Sequence, residues 1–112
     1  MKTKTILKLS GLFLLSACAN MPTKPAQITS AYVSPIKYEK YTCTQLTTEM
    51  NNLARRENQL VLAQEQRIKS SDLQALWLGY AQGDGLEAAE LANVRGEKEA
   101  VLSTLNKKQC KY

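Results

Sequence analysis

Apolar residues recur at three- and four-residue spacing along the middle of the chain, and polar or charged residues fill most positions between them. This spacing is the period of a helix that buries one face. The pattern therefore predicts a first helix whose apolar stripe packs in a core. The members of the stripe are Cys43, Leu46, Met50, Leu53, Leu60, Val61 and Ile68.

The start of this helix is marked by a capping box. Thr42 suits the N-cap position, and Gln45 follows three residues later, where its side chain can return a hydrogen bond to the backbone of the cap. Tyr41 and Leu46 occupy the positions of a hydrophobic staple. The sequence thus predicts a helix that begins at Thr42.

A second helix is predicted after Gly83-Asp84-Gly85, with Asp84 as its N-cap and Glu87 three residues further on. The Gly-Asp-Gly segment lacks the carboxylate series of a calcium loop, so we interpret it as a turn. The apolar face of this helix consists of Leu91, Val94, Val101, Leu102 and Leu105, and Lys107 and Lys108 suit its negative end.

Residues 1–17 have the layout of an export signal. Lys2, Lys4 and Lys8 give a positive start, and an apolar run from Ile6 to Leu15 follows. This run is too short to span a bilayer. The first 17 residues are therefore predicted to be removed from the mature protein.

Leu15-Ser16-Ala17-Cys18 resembles the bacterial lipobox. The resemblance implies cleavage before Cys18, diacylation of its sulfur and acylation of the new amino terminus, which would anchor the chain on a membrane. Ala19 follows at a position where lipoproteins retained at the inner membrane often carry Asp. The implied location is the outer membrane of a Gram-negative cell. An ordinary cleaved signal with a chance cysteine is the alternative.

Residues 18–41 are expected to form a tether between the lipidated end and the helices. Pro22, Pro25 and Pro35 disfavour a continuous helix and favour extended backbone. The second half of the tether also carries aromatic and apolar residues that a plain spacer would not need. We therefore expect this half to lie against the folded domain, residues 42–112, through Tyr32, Val33, Tyr38 and Tyr41.

Cys43 and Cys110 are predicted to form a structural disulfide. Lipidation would commit Cys18, and an oxidising periplasm favours pairing of the two thiols that are left. A redox pair or a metal site is the alternative, but the chain has no C-x-x-C motif and no further ligand type near these cysteines.

The two predicted helices make the expected fold all-α. With the disulfide, it is a disulfide-closed antiparallel two-helix hairpin with an extended N-terminal tether. A first helix continued from Thr42 to Gln82 would be about 60 Å long, against about 37 Å for the second, at 1.5 Å per residue. The two cysteine ends would then not meet. A break near Ser70-Ser71 is therefore predicted.

This break would give helices over about residues 42–70 and 85–109, with a tip at 72–82. The numbers of opposed residues would then add to about 153. The register places Leu53 near Ala100 and Val101, and Arg55 and Arg56 near Glu97.

The composition of the chain disfavours several classes of function. The net charge of +5 includes the three signal lysines, so the mature chain has 12 basic residues against 10 acidic ones, a net charge of +2. This balance predicts no nucleic-acid partner. The chain has no histidine, the commonest general base and metal ligand. No catalytic residue, cofactor or metal site is predicted.

A set of residues at defined spacing extends over the tether and both helices. Its members are Tyr32-Val33-Ser34-Pro35, Tyr38, Tyr41, Cys43, Gln45, Leu46, Glu49, Ala89, Gly96, Glu97, Ala100, Lys107 and Cys110. It resembles a group of small Gram-negative lipoproteins of uncharacterised function. In that group a tyrosine-rich lead enters a Cys-x-Gln-Leu helix, and an Ala-Arg-Leu-Lys-Gly-Glu helix ends in a lysine-cysteine pair. The resemblance covers residues 32–110, with a departure at Asn93-Val94-Arg95.

The middle of the chain departs further from that group, whose members carry a long apolar segment that looks able to enter a membrane. Here only Leu73-Gln74-Ala75-Leu76-Trp77-Leu78-Gly79-Tyr80 is apolar, which is too short to span. We expect an interaction tip formed by Leu76, Trp77 and Tyr80, which would suit a protein interface or a lipid headgroup region. Burial of Trp77 inside the hairpin is the alternative.

Gly96 lies inside the second predicted helix, where glycine costs roughly 0.5 to 1 kcal/mol relative to alanine. Close approach of the tether, for example by a tyrosine ring, is the preferred explanation. A ligand or partner surface is the alternative.

Two classes of function are consistent with these features. The first is a non-enzymatic, lipid-anchored hairpin that binds another envelope protein or supports outer-membrane organisation, with a membrane-perturbing role in lysis or exclusion as a variant. The second is an envelope enzyme or a small-ligand binder, which is disfavoured because two helices enclose little volume and no nucleophile and base are predicted together.

Overall fold

The computed structural model describes residues 21–81 and 83–111. Two helices form an antiparallel hairpin: α1, Cys43–Leu78, and α2, Leu86–Lys107. The tether before them contains two short 3₁₀ turns, Pro25–Gln27 and Pro35–Tyr38. No strand occurs in the described ranges. The predicted all-helical hairpin is confirmed, and the predicted signal segment lies outside the described residues.

The disulfide between Cys43 and Cys110 joins the start of α1 to the residues that follow α2. It closes the hairpin at one end, which we call the bridge end. The pairing is the one predicted from the sequence.

α1 begins with the predicted capping box. The Gln45 backbone N–H donates to Thr42 Oγ1 at 3.1 Å, and the Thr42 backbone N–H donates to Gln45 Oε1 at 2.9 Å. Two of the free N–H groups at the helix start are thereby satisfied. Tyr41 packs against the core cluster that contains Leu46.

The predicted break at Ser70-Ser71 is wrong, because α1 continues through both serines to Leu78. No glycine or proline occurs between residues 43 and 78, and serine costs a helix only a few tenths of a kcal/mol. The helix ends at Gly79, whose φ of 79° is left-handed and whose N–H donates to the Ala75 carbonyl.

The long helix and the disulfide are compatible because the described residues of the connection, 79–81 and 83–85, are not helical. α1 is about 54 Å long and α2 about 33 Å, at 1.5 Å per residue. The seven residues 79–85 can span about 23 Å at roughly 3.3 Å each, which covers the difference. No break is needed in α1, because the helix ends at Leu78 rather than at Gln82 and the residues after it bridge the remaining distance.

We call the face of α1 that packs against α2 its seam. The positions of the seam repeat in steps of three and four residues. Leu46, Leu53 and Leu60 are buried at one set of positions. On α2 the buried partners are Leu91, Ala100, Val101 and Leu105, and Leu53 shares one core cluster with Ala100 and Val101, as predicted. The intervening seam positions of α1 change from apolar to polar along the helix: Met50, Glu57, Gln64 and Ser71.

Ion pairs between the helices show the register. Glu57 pairs with Arg95 and Lys98, and Arg67 pairs with Glu87, so opposed numbers do add to about 153. The predicted approach of Arg55 and Arg56 to Glu97 is wrong. Arg55 donates to Asn52 on its own helix, Arg56 pairs with Glu90, and Glu97 pairs with Lys37 of the tether. The prediction failed because the tether covers the face of α2 that carries Glu97.

The start of α2 also differs from expectation. Its N-cap is Gly85, with no side-chain cap, rather than Asp84. The Asp84 carboxylate instead accepts hydrogen bonds from Thr23 of the tether and Gln64 of α1. Residues that are distant in the chain thus bind the carboxylate that the local spacing predicts as the cap of α2.

Gly96 is buried where the tether crosses α2. A β-carbon there would overlap the Ala31 carbonyl oxygen and lie 2.9 Å from Val33 Cγ2. The Ala31 N–H donates to the Ala92 carbonyl at 2.9 Å, which holds the crossing in place. The preferred explanation, close approach of the tether, is confirmed, although the approaching group is backbone rather than a tyrosine ring.

Removing the disulfide should destabilise the hairpin strongly. We expect Cys43→Ser with Cys110→Ser to lose about 4 kcal/mol of unfolding free energy, because the bridge closes a loop with a sequence separation of 67. Urea unfolding of the mature protein measures the loss. Reductant should lower the wild type to the same value and leave the double variant unchanged. Equal stability of wild type and variant would contradict the prediction.

Gly96→Ala should destabilise the protein although alanine is the better helix former. The added methyl group would displace the Ala31 backbone, an overpacking cost of about 1 to 3 kcal/mol. Urea unfolding and limited proteolysis within residues 21–40 measure the two effects. Asn93→Ala, at an exposed position of the same helix, is the control and should be neutral or slightly stabilising. A more stable Gly96→Ala protein would disprove the packing explanation.

Candidate interaction surface

The tether lies along the hairpin from the bridge end towards the far end, which we call the tip end. At the bridge end, Lys108 Nζ donates to the Tyr41 carbonyl. Tyr38 is buried, and its ring meets the Tyr41 ring edge-on at a centroid distance of 5.2 Å. The predicted packing of this half of the tether is confirmed for both tyrosines.

Glu97 receives two donors from the second 3₁₀ turn. Lys37 Nζ lies 2.6 Å from Glu97 Oε1, and the Tyr38 hydroxyl donates to Glu97 Oε2 at 3.3 Å. The hydrogen bond to Glu97 raises the pKa of Lys37, and burial raises the pKa of the Tyr38 hydroxyl. Tyr32, by contrast, is 89% exposed and makes no part of this packing.

Arg95 holds the first 3₁₀ turn. Its Nη1 donates to the carbonyls of Pro25 and Ile28, each at 2.6 Å. Its Nε lies 3.8 Å from Glu57 Oε1, and Glu57 also accepts from Lys98 at 2.9 Å. The polar seam position Glu57 therefore orients the guanidinium that binds the tether.

A three-way cluster fixes the described start of the tether. The Thr23 backbone N–H donates to Asp84 Oδ1 at 2.6 Å, and the Thr23 hydroxyl donates to Oδ2. Gln64 is fully buried, and its Nε2 donates to the Thr23 carbonyl and to Asp84 Oδ1, both at 2.8 Å. The cluster joins the tether, α1 and the connection between the helices.

The electrostatics of this cluster favour the charged form of Asp84. Partial desolvation acts to raise its pKa, but hydrogen bonds from the Thr23 hydroxyl and amide and from Gln64, together with the charge of Arg67, outweigh it. The pKa of Asp84 therefore lies below its ordinary value. The carboxylate is the acceptor on which the attachment of Thr23 depends.

The predicted interaction tip is exposed. Trp77 is 81% exposed and Leu76 79%, and Tyr80 is 55% exposed just beyond the end of α1. Leu73 and Leu78 are exposed beside them. We call these five residues the tip patch. The alternative in which Trp77 is buried inside the hairpin is wrong.

The tip patch is exposed because α1 is longer than α2. Arg67 lies opposite Glu87 in the first turn of α2, so residues 68–78 project beyond the partner helix. The returning connection covers one side of this projection, where Ser71, Ala81 and Gly83 are buried. Leu73, Leu76 and Trp77 follow three- and four-residue spacing on the open side.

The rest of the described surface offers shallow grooves. One groove of about 400 Å³ has Met50 and Leu102 as apolar lining, with Glu57 and Lys98 at its edge already paired to each other. Across residues 21–81 and 83–111, no three side chains of the metal-binding types come together. No helix in the same ranges is both long enough and apolar enough to cross a membrane. Cys18 lies outside the described residues.

Comparisons with known proteins found no match to this chain among family models, curated proteins or solved structures. The resemblance to small Gram-negative lipoproteins stays a prediction from the sequence.

Acidification should release the start of the tether from the hairpin. The folded pKa of Asp84 is lowered, so its contribution to stability is present above the unfolded value of about 3.9 and is lost as pH falls through the folded value. We expect the NMR signal of the Thr23 amide to shift as the pH is lowered through this range. Asp84→Asn should abolish this titration, whereas Asp72→Asn, an exposed control, should preserve it. A Thr23 titration that persists in Asp84→Asn would contradict the assignment.

Proposed function

We propose that this protein is a non-enzymatic, lipid-anchored lipoprotein of a Gram-negative envelope, held in the outer membrane through acylated Cys18. The lipobox-like segment and its basic, apolar preface carry the proposal. The disulfide adds support, because a bridge between Cys43 and Cys110 suits an oxidising compartment. It also engages the other two of the three cysteines, which leaves Cys18 for modification.

The role of the anchored protein is to bind another envelope protein or to support the organisation of the outer membrane. Two features support binding. The tip patch exposes a tryptophan, a tyrosine and three leucines, and exposed apolar groups of this kind are typical of interaction sites. The hairpin, closed by the disulfide and bound along one side by the tether, presents this patch on a stabilised scaffold.

A membrane-perturbing role in lysis or exclusion is the second candidate. The same tip patch favours it, since no charged residue occurs between Asp72 and Asp84. This role differs from the first in requiring that vesicles carrying the protein lose their contents. An enzyme or a small-ligand binder is the third and least supported candidate, since the groove beside Met50 is shallow and its charged edge is already paired.

Cys18→Ser should abolish membrane attachment. Without the thiol no diacylglycerol can be added, so we expect no incorporation of radiolabelled palmitate, and soluble or unprocessed protein after fractionation of the cells. The wild type should label and sediment with outer membranes. Cys110→Ser serves as the matched control, since it also removes one thiol but should leave labelling intact. Wild-type protein that fails to incorporate fatty acid would refute the lipid anchor.

A further inference from the structure

The path of the tether determines which end of the hairpin lies near the lipid anchor. From Tyr41 at the bridge end, the tether runs back along α2, passes Gly96, and is attached at Thr23 to Asp84 and Gln64. Asp84 immediately precedes the N-cap of α2, and α2 begins at the tip end. The described part of the chain therefore begins beside the start of α2, nearer to the tip end of the hairpin than to its disulfide.

Distances along the chain set how close the anchor lies to the tip patch. Cys18 lies five residues before Thr23, a reach of at most about 18 Å at 3.3 to 3.6 Å per residue. Trp77 lies 13 residues beyond Gln64 on α1, a rise of about 20 Å. Cys43 lies 21 residues before Gln64, about 32 Å in the opposite direction. Fully extended, the reach to Cys18 nearly matches the rise to Trp77 and falls well short of the distance to Cys43. A hairpin that stands on the anchoring membrane can therefore stand on its tip patch but not on its bridge end.

The chemistry of the tip patch suits the interface of a bilayer. Tryptophan and tyrosine combine an apolar ring with a polar group, which is why they concentrate at headgroup level in membrane proteins. Leu73, Leu76 and Leu78 supply apolar bulk, and residues 73–83 carry no charge. The nearest charges along the chain, Asp72 and Asp84, flank the patch and can stay in water.

We propose that the tip patch lies in the interfacial region of the same membrane that holds the acylated Cys18, so that the hairpin stands with its bridge end directed away from the lipid. This inference rests on the proposed lipid anchor, which it extends from a point of attachment to an orientation. The occupant of the patch is the bilayer surface. The patch then supports the organisation of the outer membrane, the second of the two proposed roles, rather than the binding of an envelope protein.

Trp77 is the only tryptophan of the chain, so its fluorescence reports the tip directly. The acylated mature protein is reconstituted into vesicles of phosphatidylethanolamine and phosphatidylglycerol, with and without brominated acyl chains. We expect a blue shift of the emission relative to detergent-free Cys18→Ser protein in buffer. We also expect brominated lipid to remove most of the intensity.

Two reporter variants act as matched controls. Each carries Trp77→Phe, with the single tryptophan moved by Leu62→Trp to the flank of α1 or by Ile36→Trp to the bridge end; both host positions are more than 60% exposed. We expect quenching to fall in the order Trp77, position 62, position 36. Equal quenching at all three positions would mean that the hairpin lies flat, and would overturn the proposed orientation.

Attaching the protein to vesicles at one or the other end of its chain tests the orientation of the hairpin independently of the lipid anchor. Cys18→Ser protein is bound to vesicles containing nickel-chelating lipid through a hexahistidine tag, placed in one form before residue 18 and in the other after residue 112. Brominated lipid should quench Trp77 in the first form and leave it bright in the second. This comparison does not depend on acylation, so it tests the tip even if the lipid anchor is refuted.

The outcomes distinguish the two proposals. Protein that floats with vesicles while its Trp77 emission stays unshifted and unquenched overturns the tip inference and leaves the anchor intact. A failure to float or to carry acyl groups refutes the anchor, and the tagged forms then decide the orientation. A blue shift that occurs without lipid and grows with protein concentration identifies a second copy as the occupant and also overturns the inference.

Discussion

The disulfide between Cys43 and Cys110 is the constraint on which the shape of the hairpin depends. It brings the start of α1 beside the end of α2, so the difference in length between the helices must be taken up at the other end. α1 projects by residues 68–78, and the connection between the helices returns the chain to α2. The exposed tip patch is thus a consequence of fixing the register at the bridge end.

The apolar core cluster of the hairpin lies in the half nearer the bridge end. Leucines occupy alternate positions of the α1 seam. The positions between them become polar towards the tip end, at Glu57, Gln64 and Ser71. The tether compensates for this change. Tyr38 and Val33 add apolar surface to the core cluster, and the polar seam residues Glu57 and Gln64 organise hydrogen bonds to the tether. The tether is therefore a third structural element rather than a spacer.

Local interactions explain what could be predicted from the sequence. The capping box at Thr42 and Gln45 depends on residues three apart, and the disulfide had one available pairing once Cys18 was set aside. The apolar periodicity also placed Leu46, Leu53 and Leu60 correctly in the core. Each of these features is decided by neighbours in the chain or by elimination, and none requires knowledge of the tertiary arrangement.

Long-range contacts explain what could not be predicted. Asp84 has the spacing of an N-cap, but Thr23, 61 residues away, occupies its carboxylate. The helix register places Glu97 opposite Arg55 and Arg56 of α1, but Lys37 and Tyr38 of the tether bind its carboxylate. The docking of the first half of the tether was missed altogether. Its one signal in the sequence is the presence of polar residues, Glu57 and Gln64, on the inward face of an amphipathic helix, where an unmatched polar group would be costly.

The tether is attached to the hairpin at successive points, so opening these attachments would release additional chain length. They are arranged in a row along the hairpin, beginning at Thr23, so a pull on the N-terminal end loads them one after another and detaches the chain by peeling. Each attachment that opens adds slack, and freeing residues 23–40 completely would add up to about 60 Å of reach at roughly 3.3 Å per residue. The disulfide keeps the two helices together throughout. The same chain can therefore hold its hairpin close to its point of attachment or, under tension, let it move further away while the disulfide still joins the two helices.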